Sequence, residues 1–410
     1  MSTEPLASFL ERAAAFLETA VGHAPAAASR AWGDGPDGTE LLAEWSSEEE
    51  ARLVAAARRF KALEYDAGFG WIDGPVEYGG RGLPRSHGDA YAELREQFAA
   101  PDLGVLGLGL GMTAPTILAH GSEQAKRAYL PRLHRGDIIA CQLFSEPEAG
   151  SDLAALRASA VPDGAGGWIL GGQKVWTTNA HLSDIGEVLC RTDARAPKHH
   201  GITAFLIDMH APGVEVRPLR QMTGGASFNE VFLTDARVPD DHRLGDVNHG
   251  WKVALTTLMN ERSTTTDIGG RLDSILDRLV MLARWSGRLA DPAVRDLVSD
   301  SAMHILAARA AMRRGHESAA TGRPGPEQSI GKLLWTQNLQ RISRVVTELL
   351  GPRLVADTGE WGTYAWAKFV LAVPGIRISA GTDEIMRNIL AERVLGLPRE
   401  ATMTRDREQT

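Results

Sequence analysis

The sequence predicts an α+β protein in which a block of strands interrupts two helical regions, and three observations carry that prediction. The first 135 or so residues repeat their apolar side chains at helical spacing. From residue 138 the texture changes to short runs rich in β-branched and aromatic residues, separated by Asp-Gly, Gly-Gly and Pro-Gly turns. From about residue 250 the helical spacing returns. The expected organisation is an N-terminal helical domain (1–137), a central antiparallel β-barrel or sandwich (138–245) and a C-terminal helical domain (246–410).

Each element has its own signal. "MSTEPLASFLERAAAFLETA" carries Glu4, Glu11, Arg12 and Glu18 inside an apolar pattern, which suits an amphipathic helix and not a signal peptide. "SSEEEARLVAAARRFKALEYDAG" (46–68) has a serine cap, acids in the first turn, basic residues later and Gly68 as a stop. "RSHGDAYAELREQFAA" and "SEQAKRAYLPRLHRGD" continue the helical style around a glycine- and proline-punctuated loop, "GFGWIDGPVEYGGRGLP". "LGVLGLGLGMTAPTILA" (103–119) has no charge, but its glycines, Pro115 and short length point to core helix and not a membrane span. It is no dinucleotide fingerprint either, since Met112 stands where a third glycine is required. The strand runs are "DIIACQLF", "LRASAVPDGAGGWILGGQKVWTTN", "DIGEVLCRTD", "HGITAFLIDM", "GVEVRPL" and "FNEVFLTDARVP". Near the end, Ile376 and Ile378 read as a β-branched run before Ser379-Ala380-Gly381. Thr382 then caps a short helix whose first turn holds Asp383 and Glu384.

Composition narrows the function. The 410 residues are 43% hydrophobic and 23% charged, ordinary for a globular protein of more than one domain. A net charge of −8 without a basic run argues against nucleic-acid binding. Cys141 and Cys190 stand far apart with no CxxC spacing and are expected as buried reduced thiols in a cytoplasmic protein. His199 and His200 are adjacent and lack further ligands at suitable spacing, so no metal site is expected. GxSxG and P-loop motifs are absent.

One constellation remains. "LFSEPEAGSDLAAL" (143–156) offers Ser145 and Ser151 around a turn shaped by Pro147 and Gly150. "KVWTTNA" (174–180) sets Trp176 beside Thr177 and Thr178. Hydroxyls and backbone amides next to an indole suit a planar, hydrogen-bonding aromatic ligand. The same residues also read as ordinary strand positions with a core tryptophan and loop caps.

"CQLFSEPEAGSDLAALRA", "GGQKVWTTNA", "GITAFLIDMHAPGVEVRPL" and "SAGTDEIMRNILAERVLG" together resemble the acyl-CoA dehydrogenase family of flavoproteins, in order and spacing. The resemblance covers nearly the whole chain and is weakest over the first forty residues. It implies a four-helix bundle after the β-domain, FAD as cofactor, and a homodimer or homotetramer. It also implies an acyl-CoA or acyl-carrier-protein substrate and an electron-transfer flavoprotein as acceptor. Phe144 and Ser145 match contacts to the flavin ring, Trp176 the tryptophan at its dimethylbenzene edge, and Thr178 the hydroxyl near N5, with Gly150 and Thr177 beside them. Ser151 matches the mouth of the acyl-CoA site; Gly381 falls beside the substrate, and Thr382 and Glu384 on the ribose-phosphate side of the cofactor.

Many members of that family carry their catalytic glutamate immediately before the Gly-Thr pair, where this chain has Ala380. A smaller branch places the base on a bundle helix just before an arginine. In "TLMNERSTTT" that pattern is Glu261-Arg262, so the resemblance assigns Glu261 as base and Arg262 as its neighbour toward substrate. Taken alone, the pair also reads as two charges on a helix surface. An Arg-x-x-Phe-Gly motif for the pyrophosphate has no clear match; "ARWSGRLADP" replaces it and leaves Arg284 and Arg288 as loose candidates, while "LLGPRLVADTG" stands for the usual glycine loop. The eroded pyrophosphate motif keeps open a non-catalytic or half-catalytic subunit that works with a paralogue; the other alternative is a flavin oxidase or monooxygenase on the same fold.

Overall fold

A computed structural model describes residues 4–24, 32–34, 37–39, 41–42, 44–263, 268–320 and 329–399. The chain forms two compact units, Met1–Arg30 with Leu42–Glu261 and Ala31–Leu41 with Arg262–Thr410.

In the first unit, α1 (Leu6–Ala20) buries Phe9, Ala13 and Leu17, four residues apart and therefore on one face. α2 (Ser47–Asp66) begins with a complete capping box between Ser46 and Glu49. α3 (Arg85–Arg95) follows the punctuated loop. The uncharged 103–119 segment becomes a 3-10 turn, a π turn (Gly109–Thr113) and α4 (Ala114–His120). α5 (Glu123–Arg135) is capped by Ser122 and stopped by Gly136 at φ 79°.

Eight strands follow: β1 (Ala140–Leu143), β2 (Ser159–Pro162), β3 (Gly167–Thr178), β4 (Ile185–Arg191), β5 (Ile202–Asp208), β6 (Val214–Leu219), β7 (Phe228–Pro239) and β8 (Arg243–Leu244). Their order is β6-β7-β3-β2-β4-β5-β8, with β1 added against β4. The sheet is open and mixed, which corrects the expectation of an antiparallel barrel or sandwich. β1 runs parallel to β4, and β2 touches β4 in parallel at Ser159 and Arg191 alone. Pairing direction depends on which strand a chain returns to, and strand periodicity carries no record of that.

β4 and β5 are buried along almost their whole length, as strands covered on both faces must be. Ile185, Leu189, Ala204 and Leu206 face Ile117 of α4, Leu130 of α5, and Val253 and Ala254 of α6 (Gly250–Ser263). Val188, Cys190, Phe205 and Ile207 face Leu170 and Val231 across the other side. α4, α5 and α6 thus share one core with the sheet, while Phe9, Leu17, Phe60 and Tyr91 of α1, α2 and α3 form a second. Cys141 and Cys190 are free and fully buried, and burial pushes both thiols up to about 12.

The second unit contains α7 (Ile268–Trp285), α8 (Pro292–Ala320), α9 (Ser329–Leu350), α10 (Ala365–Ile378) and α11 (Asp383–Ile389), with α7, α8, α10 and α11 all packed on α9. Ile376 and Ile378, the β-branched run of the sequence, form the last turn of α10. The Lys332 ammonium donates to the Arg377 carbonyl at 2.7 Å, satisfying a helix-end acceptor that local sequence alone leaves bare. Among the described residues no helix is long and apolar enough to cross a membrane.

The start of α6 lies against the backbone of β5. A Cβ on Gly250 would stand 2.7 Å from backbone atoms of Thr203 and Ala204, which cannot swing aside. Gly250→Ala is expected to destabilise the protein by about 1–3 kcal/mol, as overpacking does, measured by urea denaturation.

Candidate active site

The candidate flavin residues of the first unit come from two segments that the fold joins. β3 carries a bulge: Lys174 pairs with Val231 and Thr177 with Asn229, so three steps on β3 oppose two on β7. Trp176 sits in this bulge at φ 61°, a left-handed conformation costing a non-glycine residue roughly 1–2 kcal/mol. The bulge turns the indole outward, leaving it 60% exposed, with Phe228 meeting its edge at 6.0 Å. A large aromatic held strained and exposed marks a ligand-facing position more readily than a core one. At the same bulge the Val175 N–H donates to the Ser145 carbonyl at 2.9 Å, which ties the Ser145 loop to the Trp176 strand.

Below this junction lies a buried ion pair that the sequence reading did not single out. Lys174 is fully buried; its ammonium donates to Glu146 Oε1 at 2.8 Å and to the Phe144 carbonyl at 3.1 Å. Glu146 also accepts from the Arg157 and Ala158 N–H groups at 2.7 and 2.9 Å. The signal was available, since Lys174 shares the inward parity of Trp168 and Leu170 on β3.

The remaining residues are placed as follows. Ser145 and Thr178 are partly exposed, and Gly150 and Ser151 lie exposed on the loop after Ser145. Thr177 is buried; its carbonyl accepts from Asn229 Nδ2 at 3.1 Å, and its hydroxyl has no hydrogen-bond partner. Glu261 is the last residue of the first unit and lies partly exposed on α6. The Arg262 side chain falls outside the described residues. Gly381, Thr382 and Glu384 belong to the second unit. There the Thr382 hydroxyl caps α11 by accepting from Ile385 N–H at 3.2 Å, and Glu384 is exposed beside Arg387. Ala380 and Gly381 both adopt positive φ, 52° and 86°. Ala380, two residues past the end of α10, holds a conformation that suits glycine better, and its side chain offers no proton-accepting atom.

Asp383 is the residue of this segment that sequence reasoning undervalued. It is 1% exposed and accepts from Thr336 at 2.8 Å and Arg377 at 2.9 Å, with Lys332 at 3.3 Å. Burial alone would raise its pKa, but these donors and charges outweigh it and hold the carboxyl below its ordinary value.

Glu187 presents the opposite case. It is fully buried on the helix-facing side of β4, and burial pushes its carboxyl up to about 8 despite a hydrogen bond with Thr257. The folded protein therefore binds a proton there that the unfolded chain has already lost above the ordinary value of 4.5. Stability is lost as pH rises from that value toward about 8 and levels off beyond it. Glu187→Gln, with no proton to lose, should gain stability over the parent increasingly from pH 5 to pH 8, read by denaturant titration across that range. Lys174→Met should cost about 3–5 kcal/mol by leaving the Glu146 charge buried and unpaired, read by the same titration at one pH.

Comparison with known proteins agrees with this layout. Three family profiles match in order: "Acyl-CoA dehydrogenase, N-terminal domain" over residues 38–137, "middle domain" over 141–236 and "C-terminal domain" over 248–395. The acyl-CoA dehydrogenase IpdE1 of Mycobacterium tuberculosis is 38% identical over 338 residues, covering 82% of this chain and 86% of that protein. FadE34 of the same organism is 42% identical over 290 residues, 70% of this chain but 39% of that longer protein. Among solved structures, the Tcur3481-Tcur3483 steroid ACAD superposes with a TM-score of 0.73 at 25% identity, covering 98% of this chain and all of that one. The ChsE4-ChsE5 complex of Mycobacterium tuberculosis, at 24% identity and a TM-score of 0.71 over 98% of this chain and all of that one, shares the fold. The chain belongs to the acyl-CoA dehydrogenase family, FAD-dependent oxidoreductases that act on CH–CH bonds.

Proposed function

We propose that this chain dehydrogenates the Cα–Cβ bond of a bulky acyl-CoA thioester and that Glu261 is the base that takes the α-proton. The observation that carries the reading is at the C-terminal end of α10. Ala380, at φ 52°, brings only a methyl group to the position before Gly381-Thr382 at which the family resemblance expects a carboxylate base, while the acid-arginine pattern of the smaller branch falls at Glu261-Arg262 in the sequence of α6.

The residues fit FAD. A strained, outward-turned indole beside the partly exposed hydroxyls of Ser145 and Thr178 offers a stacking edge and hydrogen-bonding groups to a planar heterocycle. Phe144, Ser145, Gly150, Trp176, Thr177 and Thr178 would hold the ring end, and Thr382 and Glu384 the ribose-phosphate side. When bound, FAD supplies the acceptor, at N5, for the hydride that leaves Cβ. The chain's own tasks are to orient the thioester, with Ser151 at the mouth of the site and Gly381 beside the substrate, and to hold a carboxylate at Cα. Deprotonation builds negative charge on the thioester oxygen, so donors aimed at that oxygen lower the barrier.

Two finer assignments go with this. A bulky acyl group is supported by the similarity to the steroid ACAD. Electron-transfer flavoprotein is the acceptor this family resemblance favours, with acyl-carrier-protein thioesters and direct oxidation by O₂ as the competing substrate and acceptor. A second reading, a chain that works with a paralogous subunit, is favoured by the region replacing the pyrophosphate arginine. Arg288 is committed to Asp291 and Glu348 at 3.5 and 3.7 Å, and Trp285 stacks on Trp32 at 4.6 Å under Arg353.

The test is anaerobic mixing of the flavin-loaded protein with straight-chain and steroid-side-chain acyl-CoA thioesters, following loss of oxidised-flavin absorbance. Glu261→Gln should reduce its flavin about 10²–10⁴-fold more slowly than the parent. An unchanged rate would refute the base assignment. Flavin binding only after addition of a paralogous chain would select the second reading.

A further inference from the structure

Glu187 has no place in the chemistry just described, yet it is a fully buried carboxyl in an apolar face. Its neighbours on that side of the sheet are Ile185, Leu189, Ala204 and Leu206, with Val253 and Ala254 of α6 above them. Burying such a group is costly unless it bonds something that matters. Its Oε1 lies 2.6 Å from the Thr257 hydroxyl on α6. That hydroxyl lies 2.9 Å from the Thr116 hydroxyl on α4, and Thr116 lies 2.8 Å from the Met112 carbonyl. One turn further along α4, His120 Nε2 meets the Thr256 hydroxyl at 2.8 Å.

Thr257 is four residues before Glu261, so the two side chains stand one turn apart on neighbouring ground of the same helix. α6 is thus seated twice within the first unit: at Gly250, where it presses on the β5 backbone, and at Thr257, where it is bonded to β4 and α4. The rotation and depth of the next turn follow from those two points.

We infer that Glu187 is a positioning residue for Glu261, acting through Thr257 to set the turn of α6 that carries the base. The Thr257 hydroxyl can donate to an ionised Glu187 or accept from a protonated one, and the bond joins β4 to α6 in either state. With its proton on Oε1, Glu187 donates to Thr257, whose own proton then has the Thr116 hydroxyl at 2.9 Å and the Val253 carbonyl at 3.3 Å as acceptors, while Thr116 donates to the Met112 carbonyl. Oε2, which has no partner, is then a neutral carbonyl oxygen and not half of a buried charge. The raised pKa of about 8 agrees with that protonation state at neutral pH.

The inference rests on Glu261 being the base, and the experiment separates the two. Glu187→Leu, Glu187→Gln, Thr257→Val, Thr257→Ser, the Glu187→Leu/Thr257→Val double variant and Glu261→Gln are each loaded with FAD. Anaerobic flavin reduction by acyl-CoA is timed, and the dissociation constants of flavin and acyl-CoA are measured separately. Glu187→Leu and Thr257→Val should each slow reduction by about 10–100-fold, the range a small displacement of a catalytic group produces. The double variant should be no slower than either single one, since both break one chain. Glu187→Gln, whose amide N–H can donate to Thr257, and Thr257→Ser, which keeps the hydroxyl, should hold the parent rate. Both dissociation constants should stay within about twofold of the parent in every variant, because rate without affinity is the mark of a displaced base. Parent-like rates in Glu187→Leu and Thr257→Val beside a dead Glu261→Gln overturn the positioning role and leave the base standing. A parent-like rate in Glu261→Gln overturns both, and loss of flavin affinity in step with rate reduces Glu187 to a fold contact. Should Glu187→Leu fail to fold, the Thr257→Val and Thr257→Ser pair decides.

Discussion

The pair formed by Lys174 and Glu146 is the constraint on which the candidate flavin-facing segments of the first unit depend. Both groups are removed from water, which would cost several kcal/mol per ion without compensation. Compensation is close to complete: the ammonium reaches a carboxylate and a main-chain carbonyl, and the carboxylate takes two main-chain N–H groups as well. Such a network holds its members in one geometry, because any alternative leaves a buried charge without partners. Its members are the main chain at Phe144, the turn that leads to Ser151 and the strand that swings Trp176 outward. The left-handed indole position can persist only because this frame over-determines it.

The second unit uses the same device at a different place. Asp383 gathers Lys332, Thr336 and Arg377, so the end of α10 and the start of α11 are held to α9 by one carboxylate. Gly381 and Thr382 lie between those held ends. Two positive-φ residues in a row, Ala380 and Gly381, make the reversal, and the Asp383 cluster keeps it from relaxing. In both units a buried charge defines the backbone next to exposed residues of the candidate site, and apolar packing alone would define it less sharply.

Glu187 is different in kind. Lys174, Glu146 and Asp383 are satisfied as ions, whereas Glu187 has one hydroxyl partner and an apolar wall. Burial therefore favours its neutral form, and its worth lies in the single bond it makes to α6. Ion-paired carboxyls thus brace the backbone beside Trp176 and Gly381, and a carboxyl whose pKa burial raises is bonded to α6.

Much of this was legible in the chain. The Ser46–Glu49 box, the Ser122 and Thr382 caps and the glycine stops are local, because a cap needs only three or four consecutive residues to form. The texture change near residue 138 announced the sheet, and the motifs around Ser145, Trp176 and Gly381 announced the family. Hidden were the parallel pairing of β1 with β4, the helical ending at Ile376–Ile378, and the roles of Lys174, Asp383 and Glu187. Each of these is settled by a partner far along the chain: β4 for β1, Lys332 for the Arg377 carbonyl and Asp383, Thr257 for Glu187. The sequence by itself determined which segments become helix or strand and which residue types are available for the chemistry, since those depend on near neighbours. Only the tertiary structure decided strand direction, the outward turn of Trp176, and that burial raises the Glu187 carboxyl while its partners lower that of Asp383. Those follow from desolvation and from distant partners, and neither exists until the chain has folded.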